Sequence, residues 1–236
     1  MDYAQFCPVA KATQVLAERW TLLIVRELLA GRRRFREIQR GLGDMSPAVL
    51  TARLKSLERQ GLIIRRKISG QRMHEYHPTD MCEGLMPVIM AVGEWGLRWV
   101  RHTLREQDFD VDFLMHCLQH SVDPNKLPGN QTVIQFKFED LCEHRNWWLL
   151  VSPSGVEPCT IRPASDVDVY FTTTVRVMHD VWMGDRSYSE AISSGDLILE
   201  GQPSLTRHVK NWLRPSIFVD CARAPAPTFA RPVSAA

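Results

Sequence analysis

The sequence predicts two domains of different class: a mainly α domain closed by a β-hairpin, then an α+β domain with helices laid on a sheet. Three observations predict this. Residues 35–78 read as a short helix, a turn, a second helix and a hairpin, the order of a winged helix-turn-helix, which lays a helix in the DNA major groove. Beyond residue 130 the apolar spacing changes from helical to alternating. The charge also changes sign between the halves. Residues 1–106 carry 18 Lys and Arg against 11 Asp and Glu, net +7, whereas residues 107–236 carry 11 against 16, net −5. A basic front half suits a polyanion partner, and an acidic back half argues against nucleic acid as its ligand.

At 236 residues the chain is long enough for one or two domains with real cores. No apolar run reaches membrane-spanning length, and the densest, residues 85–92, is interrupted by Pro87. Met1-Asp2-Tyr3 lacks the features of a signal peptide, so a cytoplasmic protein without membrane contact is expected. The six cysteines (7, 82, 117, 142, 159 and 221) form no C-x-x-C pair and are read as free thiols.

Taken in order, residues 3–18 read as a helix with Phe6, Val9, Val15 and Leu16 inward. Residues 20–29 make a stronger helix, with Trp20, Leu23, Ile24 and Leu28 on one stripe and Arg26 and Glu27 read as outward. Gly31 stops it, and the run Arg32-Arg33-Arg34 is either a solvated loop or a phosphate contact. The first helix of the motif points Phe35, Ile38 and Leu42 inward, and Gly41-x-Gly43 permits the turn. Ser46 reads as the N-cap and Pro47 as the first residue of the second helix. Leu50, Leu54 and Leu57 anchor it. At about 100° per residue, Ala48, Thr51, Ala52, Lys55 and Arg59 lie on the far side. Small residues there allow close approach to a groove. Thr51, Arg53 and Lys55 are candidates for base edges or phosphates.

Residues 62–68 and 73–77 read as the hairpin strands, made basic by Arg65, Arg66, Lys67 and Arg72. His74 and His77 alternate on one strand, and a structural or surface role outweighs a metal site. Asp80 and Glu83 resemble a capping pair for one helix over residues 80–105. That helix is apolar on more than one face, more than a small domain can cover. A homodimer that buries it and reads two half-sites is expected.

The joint spacing of Cys7-Pro8-Val9, Arg19-Trp20-Thr21-Leu22-Leu23-Ile24, Arg33-Arg34-Phe35, Ser46-Pro47-x-x-Leu50, Arg53-Leu54-x-x-Leu57, Gly61-Leu62-Ile63 and Gly93-Glu94-Trp95-Gly96 resembles the HxlR family of bacterial transcription regulators over residues 6–106. The resemblance implies a winged-helix dimer that binds double-stranded DNA, joined through its N-terminal helix and the helix of residues 80–105. The DNA-binding candidates are Arg33, Arg34, Ser46, Ala48, Thr51, Arg53, Lys55, Arg66 and Arg72. Some members of that family sense oxidants through a cysteine near the position of Cys7. Cys7 is therefore a redox candidate, set against an unreactive, half-buried thiol with no basic neighbour nearer than Lys11.

In the second half, His116 and His120 sit i, i+4 around Cys117, at most half a metal site. Residues 132–138, 147–151, 156–161 and 197–199 read as strands, with Val167, Val169 and Phe171 alternating on another. Residues 172–182, 187–194 and 203–213 read as helices, and residues 220–236 as a disordered tail. Asp166 and Asp168 read as solvated. No Gly-rich phosphate loop, G-x-S-x-G or paired-carboxylate arrangement occurs, so neither an enzyme nor a bound cofactor or metal is expected. The run Trp182-x-Gly184-x-x-x-Tyr188-x-x-Ala191-x-x-x-Gly195-x-Leu197-x-Leu199-x-Gly201 resembles the sterol carrier protein fold over residues 108–215. That resemblance implies an apolar tunnel, and Phe136, Trp148, Phe171, Met178 and Trp182 are its nominated lining. Together these readings predict a regulatory domain at 1–106 and an apolar-effector domain at 107–219. A redox regulator with a structural back half, and a lipid carrier with a winged interaction module, are the rivals.

Overall fold

The computed structural model describes residues 3–43, 45–68, 70 and 73–221. The chain divides between residues 93 and 94 into two compact units. The first contains α1 (Pro8–Leu16), α2 (Thr21–Leu29), α3 (Phe35–Arg40), α4 (Pro47–Arg59), the strands β1 (Ile63–Lys67) and β2 (His74–Pro78), and α5 (Asp80–Glu83). Its core is Ile24, Val25 and Leu28 of α2, Ile38 of α3, Leu50, Leu54 and Leu57 of α4, and Leu42, Met45, Leu62, Ile63 and Cys82. The apolar positions expected at helical spacing in residues 35–57 therefore meet in one cluster.

Four expectations for this unit are corrected. α1 begins only at Pro8, whose missing N–H costs nothing in a first turn. Phe6 is then 100 % exposed, and Val9 is exposed as well. Glu27, read as outward, is 2 % exposed. The helix of residues 80–105 is broken. α5 ends at Glu83, α6 (Met86–Trp99) starts afresh, and a 3-10 turn follows at Arg101–Thr103. Pro87 is the physical reason: in a continuous helix its ring would clash with the carbonyl four residues back, at Glu83. The cap of α5 is Thr79 rather than Asp80.

In the second unit α7 (Val111–Ser121) is capped by Asp110, whose carboxylate accepts from the Phe113 N–H at 2.7 Å. Its sheet has the order β5-β4-β3-β6-β7, from β3 (Thr132–Phe138), β4 (Asn146–Ser152), β5 (Gly155–Cys159), β6 (Val169–Thr173) and β7 (Ile198–Gly201). The β3–β6 pair is parallel and the other pairs are antiparallel. α8 (Val175–Met183), α9 (Tyr188–Ser193), α10 (Pro203–Thr206) and α11 (Val209–Trp212) complete it. The alternation in β3 holds: Ile134, Phe136 and Phe138 are fully buried, while Gln135 and Lys137 are half-buried.

Thr172 and Thr173, expected in a helix, end the strand, because Thr174 is the N-cap and its hydroxyl accepts from the Val177 N–H at 3.1 Å. The closing helix of residues 203–213 is two short helices. Asp168, read as solvated, accepts from the Val133 N–H at 2.8 Å and from Gln202 Nε2 at 2.6 Å, so it braces β3 and the end of β7. No helix among the described residues is long and apolar enough to cross a membrane. Of the expected tail, residues 222–236 lie outside the described residues.

Candidate nucleic-acid interface

α4 is built to present one face. Ser46 caps it by accepting from the Val49 N–H at 3.3 Å, and Pro47 fills its first position. With Leu50, Leu54 and Leu57 buried, Ala48, Thr51, Ala52, Lys55 and Arg59 are all exposed. Along that face Ala48, Thr51 and Ala52 come first and the cations Lys55 and Arg59 follow, so it is small toward its N-terminal end and basic toward its C-terminal end. Arg53 does not share it. It stands three residues after Leu50 and four before Leu57, on the flank of the core stripe, and pairs with Glu18. Ser46 likewise spends its acceptor inside the helix end.

Beside this face, β1 exposes Arg65, Arg66 and Lys67 on the wing. Arg65 Nη2 lies 3.2 Å from His74 Nδ1, and His77 Nε2 lies 3.2 Å from Glu75 Oε2, so the two wing histidines serve different partners rather than one metal. Arg72 lies outside the described residues. The triple arginine divides its work. Arg32 is buried against Glu27 at 3.7 Å. Arg33 turns its guanidinium inward to the Leu28 carbonyl, while its own carbonyl accepts from the Tyr76 N–H at 2.8 Å. Arg34 is exposed and pairs with Glu75, to which its backbone forms an isolated antiparallel β-bridge. Of the three, Arg34 remains available to a phosphate.

The turn between α3 and α4 is held by a buried ion cluster that the sequence reading missed. Glu27 accepts from Arg26 Nε at 2.9 Å, and Arg26 Nη2 donates to the Gly41 carbonyl at 2.7 Å. A Cβ added at Gly41 would fall 1.9 Å from Glu27 Oε2, so glycine is required for packing against the carboxylate. The signal was present: Glu27 follows Ile24 by three and Trp20 by seven, which places it on the apolar stripe and not opposite it.

No residue of α6 is buried, although Met86, Val88, Val92, Trp95 and Trp99 are all apolar. Trp95 is 58 % exposed. Cys7 is half-buried at the N-cap of α1. Cys82 is buried in the core, and desolvation pushes its thiol up to about 11.

In the second unit four of the five nominated lining residues, Phe136, Trp148, Phe171 and Met178, are buried. Phe136, Phe171 and Met178 are fully buried members of the packed core, and Phe136 stacks on Phe171 at 4.6 Å between ring centres. Trp148 lies on the opposite sheet face from Trp147, buried, with its indole N–H unpartnered among the described residues. Trp182 borders a cleft, and its indole N–H donates to Ser121 Oγ at 2.8 Å. The His120 ring turns back to the His116 carbonyl at 2.6 Å, so that pair is a helix contact. His179, Asp180 and Asp185 bring ligand atoms within 4.8 Å of one another, but the Arg101 guanidinium already supplies a cation to both carboxylates.

Residues 15–104 match the family model described as HxlR-like helix-turn-helix. The uncharacterized HTH-type transcriptional regulator YvaP of Bacillus subtilis is 37 % identical over 102 residues, 42 % of this chain and 94 % of that protein. The chain belongs to the HxlR-like helix-turn-helix family. The uncharacterized HTH-type transcriptional regulator Rv3095 of Mycobacterium tuberculosis is 39 % identical over 89 residues, 37 % of this chain and 56 % of that protein. Among solved structures, the reduced form of the transcriptional regulator YodB from B. subtilis is similar at 29 % identity and a TM-score of 0.35, covering 39 % of this chain and 92 % of that one. The HxlR-like match ends before α7, so it covers the winged unit and stops short of the sheet.

Proposed function

We propose that this HxlR-like regulator binds DNA as a homodimer and answers to a small molecule held by its second unit. α4 enters the major groove with Ala48 and Thr51 toward the bases and Lys55 toward phosphate. Arg34 and Arg66 flank it on the backbone. The observation that carries this reading is the exposed face of α4, small at its N-terminal end and basic at its C-terminal end, beside a basic wing. The second copy covers α1 and the apolar face of α6, which would otherwise leave two tryptophans in water. Two copies present two α4 helices to half-sites about 34 Å apart, one helical turn of DNA.

The second unit is read as a sterol-carrier-like sheet domain that carries the effector, supported by its mixed sheet and by the cleft at Trp182. An allosteric coupling of this kind amounts to about 1–3 kcal/mol. The rival redox reading is favoured by one placement, that of Cys7 at the N-cap of α1 within the proposed dimer face. Cys7→Ser separates the two: loss of an oxidant response with no small-molecule response supports the redox switch.

The test is selection of bound sequences from a random DNA pool, followed by fluorescence anisotropy across salt. Lys55→Ala is expected to weaken binding to the selected operator and to lower the salt slope by about 1. A variant with unchanged affinity and slope removes Lys55 from the interface. Failure of the pool to enrich any sequence refutes the operator reading itself.

A further inference from the structure

The cleft bordered by Trp182 has a composition that DNA binding does not use. It encloses about 480 Å³ within the second unit, in the size range of small-molecule sites. Its apolar walls are Val181, Trp182, Tyr188, Leu213, Pro215 and Val219. Five charged residues also border it, and four of them are already committed. Arg186 is held by Asp196 at 2.6 Å. Arg214 pairs with Asp123 at 2.5 Å, and the pairing holds the Asp123 carboxyl below its ordinary range. Asp185 takes the Arg101 guanidinium. Glu190 accepts from the Ser187 N–H and hydroxyl, both at 2.7 Å, with Arg186 nearby.

The fifth is Lys210 on α11, which is exposed and makes no ion pair among the described residues. The Tyr188 hydroxyl also has no hydrogen-bond partner among the described residues. Burial raises its ionisation well above the ordinary phenol, so at neutral pH it offers a donor and not a second charge. An apolar slot with one uncommitted cation and one uncommitted hydroxyl is complementary to a molecule with an apolar body and one anionic end. The two aromatic walls favour a ring over a flexible chain, since offset and edge contacts add to burial.

We propose that this cleft binds an aromatic carboxylate, with the carboxylate against the Lys210 ammonium and the Tyr188 hydroxyl, and the rings against Trp182. The proposal rests on the effector reading only for its consequence at the operator. The binding site itself stands on the cleft. Of the residues nominated from the sequence the cleft takes in Trp182, while Phe136, Phe171 and Met178 belong to the packed core.

The test is calorimetric titration of the full chain with three probes of one size: naphthalene carboxylate, the neutral naphthalene carboxamide, and naphthylmethylammonium. The expected order is carboxylate over carboxamide by on the order of tenfold, with the ammonium weakest. Lys210→Met abolishes the preference for carboxylate and leaves carboxamide binding in place, while Lys210→Arg retains most of it. Lys210 is exposed, so a normal thermal melt verifies that each variant folds. No heat with the carboxylate on well-folded protein overturns the proposal, as does an equal affinity of wild type and Lys210→Met for it. Operator anisotropy on the same samples is a separate readout. Carboxylate bound with operator affinity unchanged leaves the site standing and removes the effector role.

Discussion

Glu27→Ala tests whether a buried charge sets the geometry of the reading helix. Glu27 is 2 % exposed and faces Arg26 at 2.9 Å and Arg32 at 3.7 Å. Arg32 is itself 8 % exposed, so removing the carboxylate takes a buried ion partner from its guanidinium. Breaking a buried ion pair by deleting one partner costs about 3–5 kcal/mol, chiefly because the other charge stays out of water. A unit of this size loses about 4–8 °C per kcal/mol, so its melting transition should fall by roughly 12 °C or more.

Binding should suffer as well, because Arg26 reaches from Glu27 to the Gly41 carbonyl in the turn that orients α4 against α3. Thermal unfolding by circular dichroism measures the first effect, and anisotropy on the selected operator measures the second. Gly41→Ala supplies an internal check. The added methyl collides with the Glu27 carboxylate, so its cost should shrink in the Glu27→Ala background, a coupling that independent sites do not show. A Glu27→Ala protein that melts within about 1 kcal/mol of wild type, or a Gly41→Ala cost that is unchanged in the double variant, refutes the cluster as the brace of the turn.

Three further outcomes are expected. Ser46→Ala removes the acceptor for the Val49 N–H and should cost about 1 kcal/mol, read as a shift of the urea midpoint, with Ser46→Asp restoring most of it. Trp95→Glu places a charge on the exposed face of α6 and should convert a dimer to monomer in light scattering at micromolar concentration. A mass equal to wild type would exclude that face from the interface. Cys82 should resist thiol reagents in the folded protein. Its ionisation also gives stability a defined slope. Below the ordinary thiol range the group is neutral in both states. From there up to about 11 the unfolded chain ionises first, so stability falls as pH rises through that window. Cys82→Ala should flatten the fall, and an unchanged slope would show that another group causes it.

Much of the winged unit was legible because its signals are local. Ser46-Pro47 writes a helix start in two residues, and Leu50, Leu54 and Leu57 lie on a single face by spacing alone. Gly61 turns the chain at φ +78°, a backbone state that glycine adopts without strain, and hands it to the wing. The uncovered apolar face of α6 was likewise visible as an excess of apolar positions. Misreadings arose where a residue's partner lies far along the chain. Glu27 sits on the apolar stripe by spacing but was read by its charge as solvent-facing, because its partner in the turn, Gly41, comes fourteen residues later. The partner of Arg53, Glu18, likewise lies far along the chain, thirty-five residues earlier. Asp168 looked solvated until the Val133 N–H and Gln202 turned toward it.

The sequence by itself determined that residues 35–78 make a helix-turn-helix with a basic wing, and that the back half is an acidic sheet domain. Periodicity, caps and charge are properties of neighbouring residues and survive without coordinates. Only the tertiary structure decided which cations stay outside. It drew Arg32 and Arg33 inward, left Arg34, Lys55 and Arg66 exposed, and broke the long helix at Pro87. It also packed Phe136 and Phe171 into the core and placed a cleft beside Trp182 and Lys210. The physical reason is the same in each case. A charge or an aromatic ring is assigned to core, partner or solvent by what the rest of the chain brings within a few ångströms of it, and that is a property of the fold.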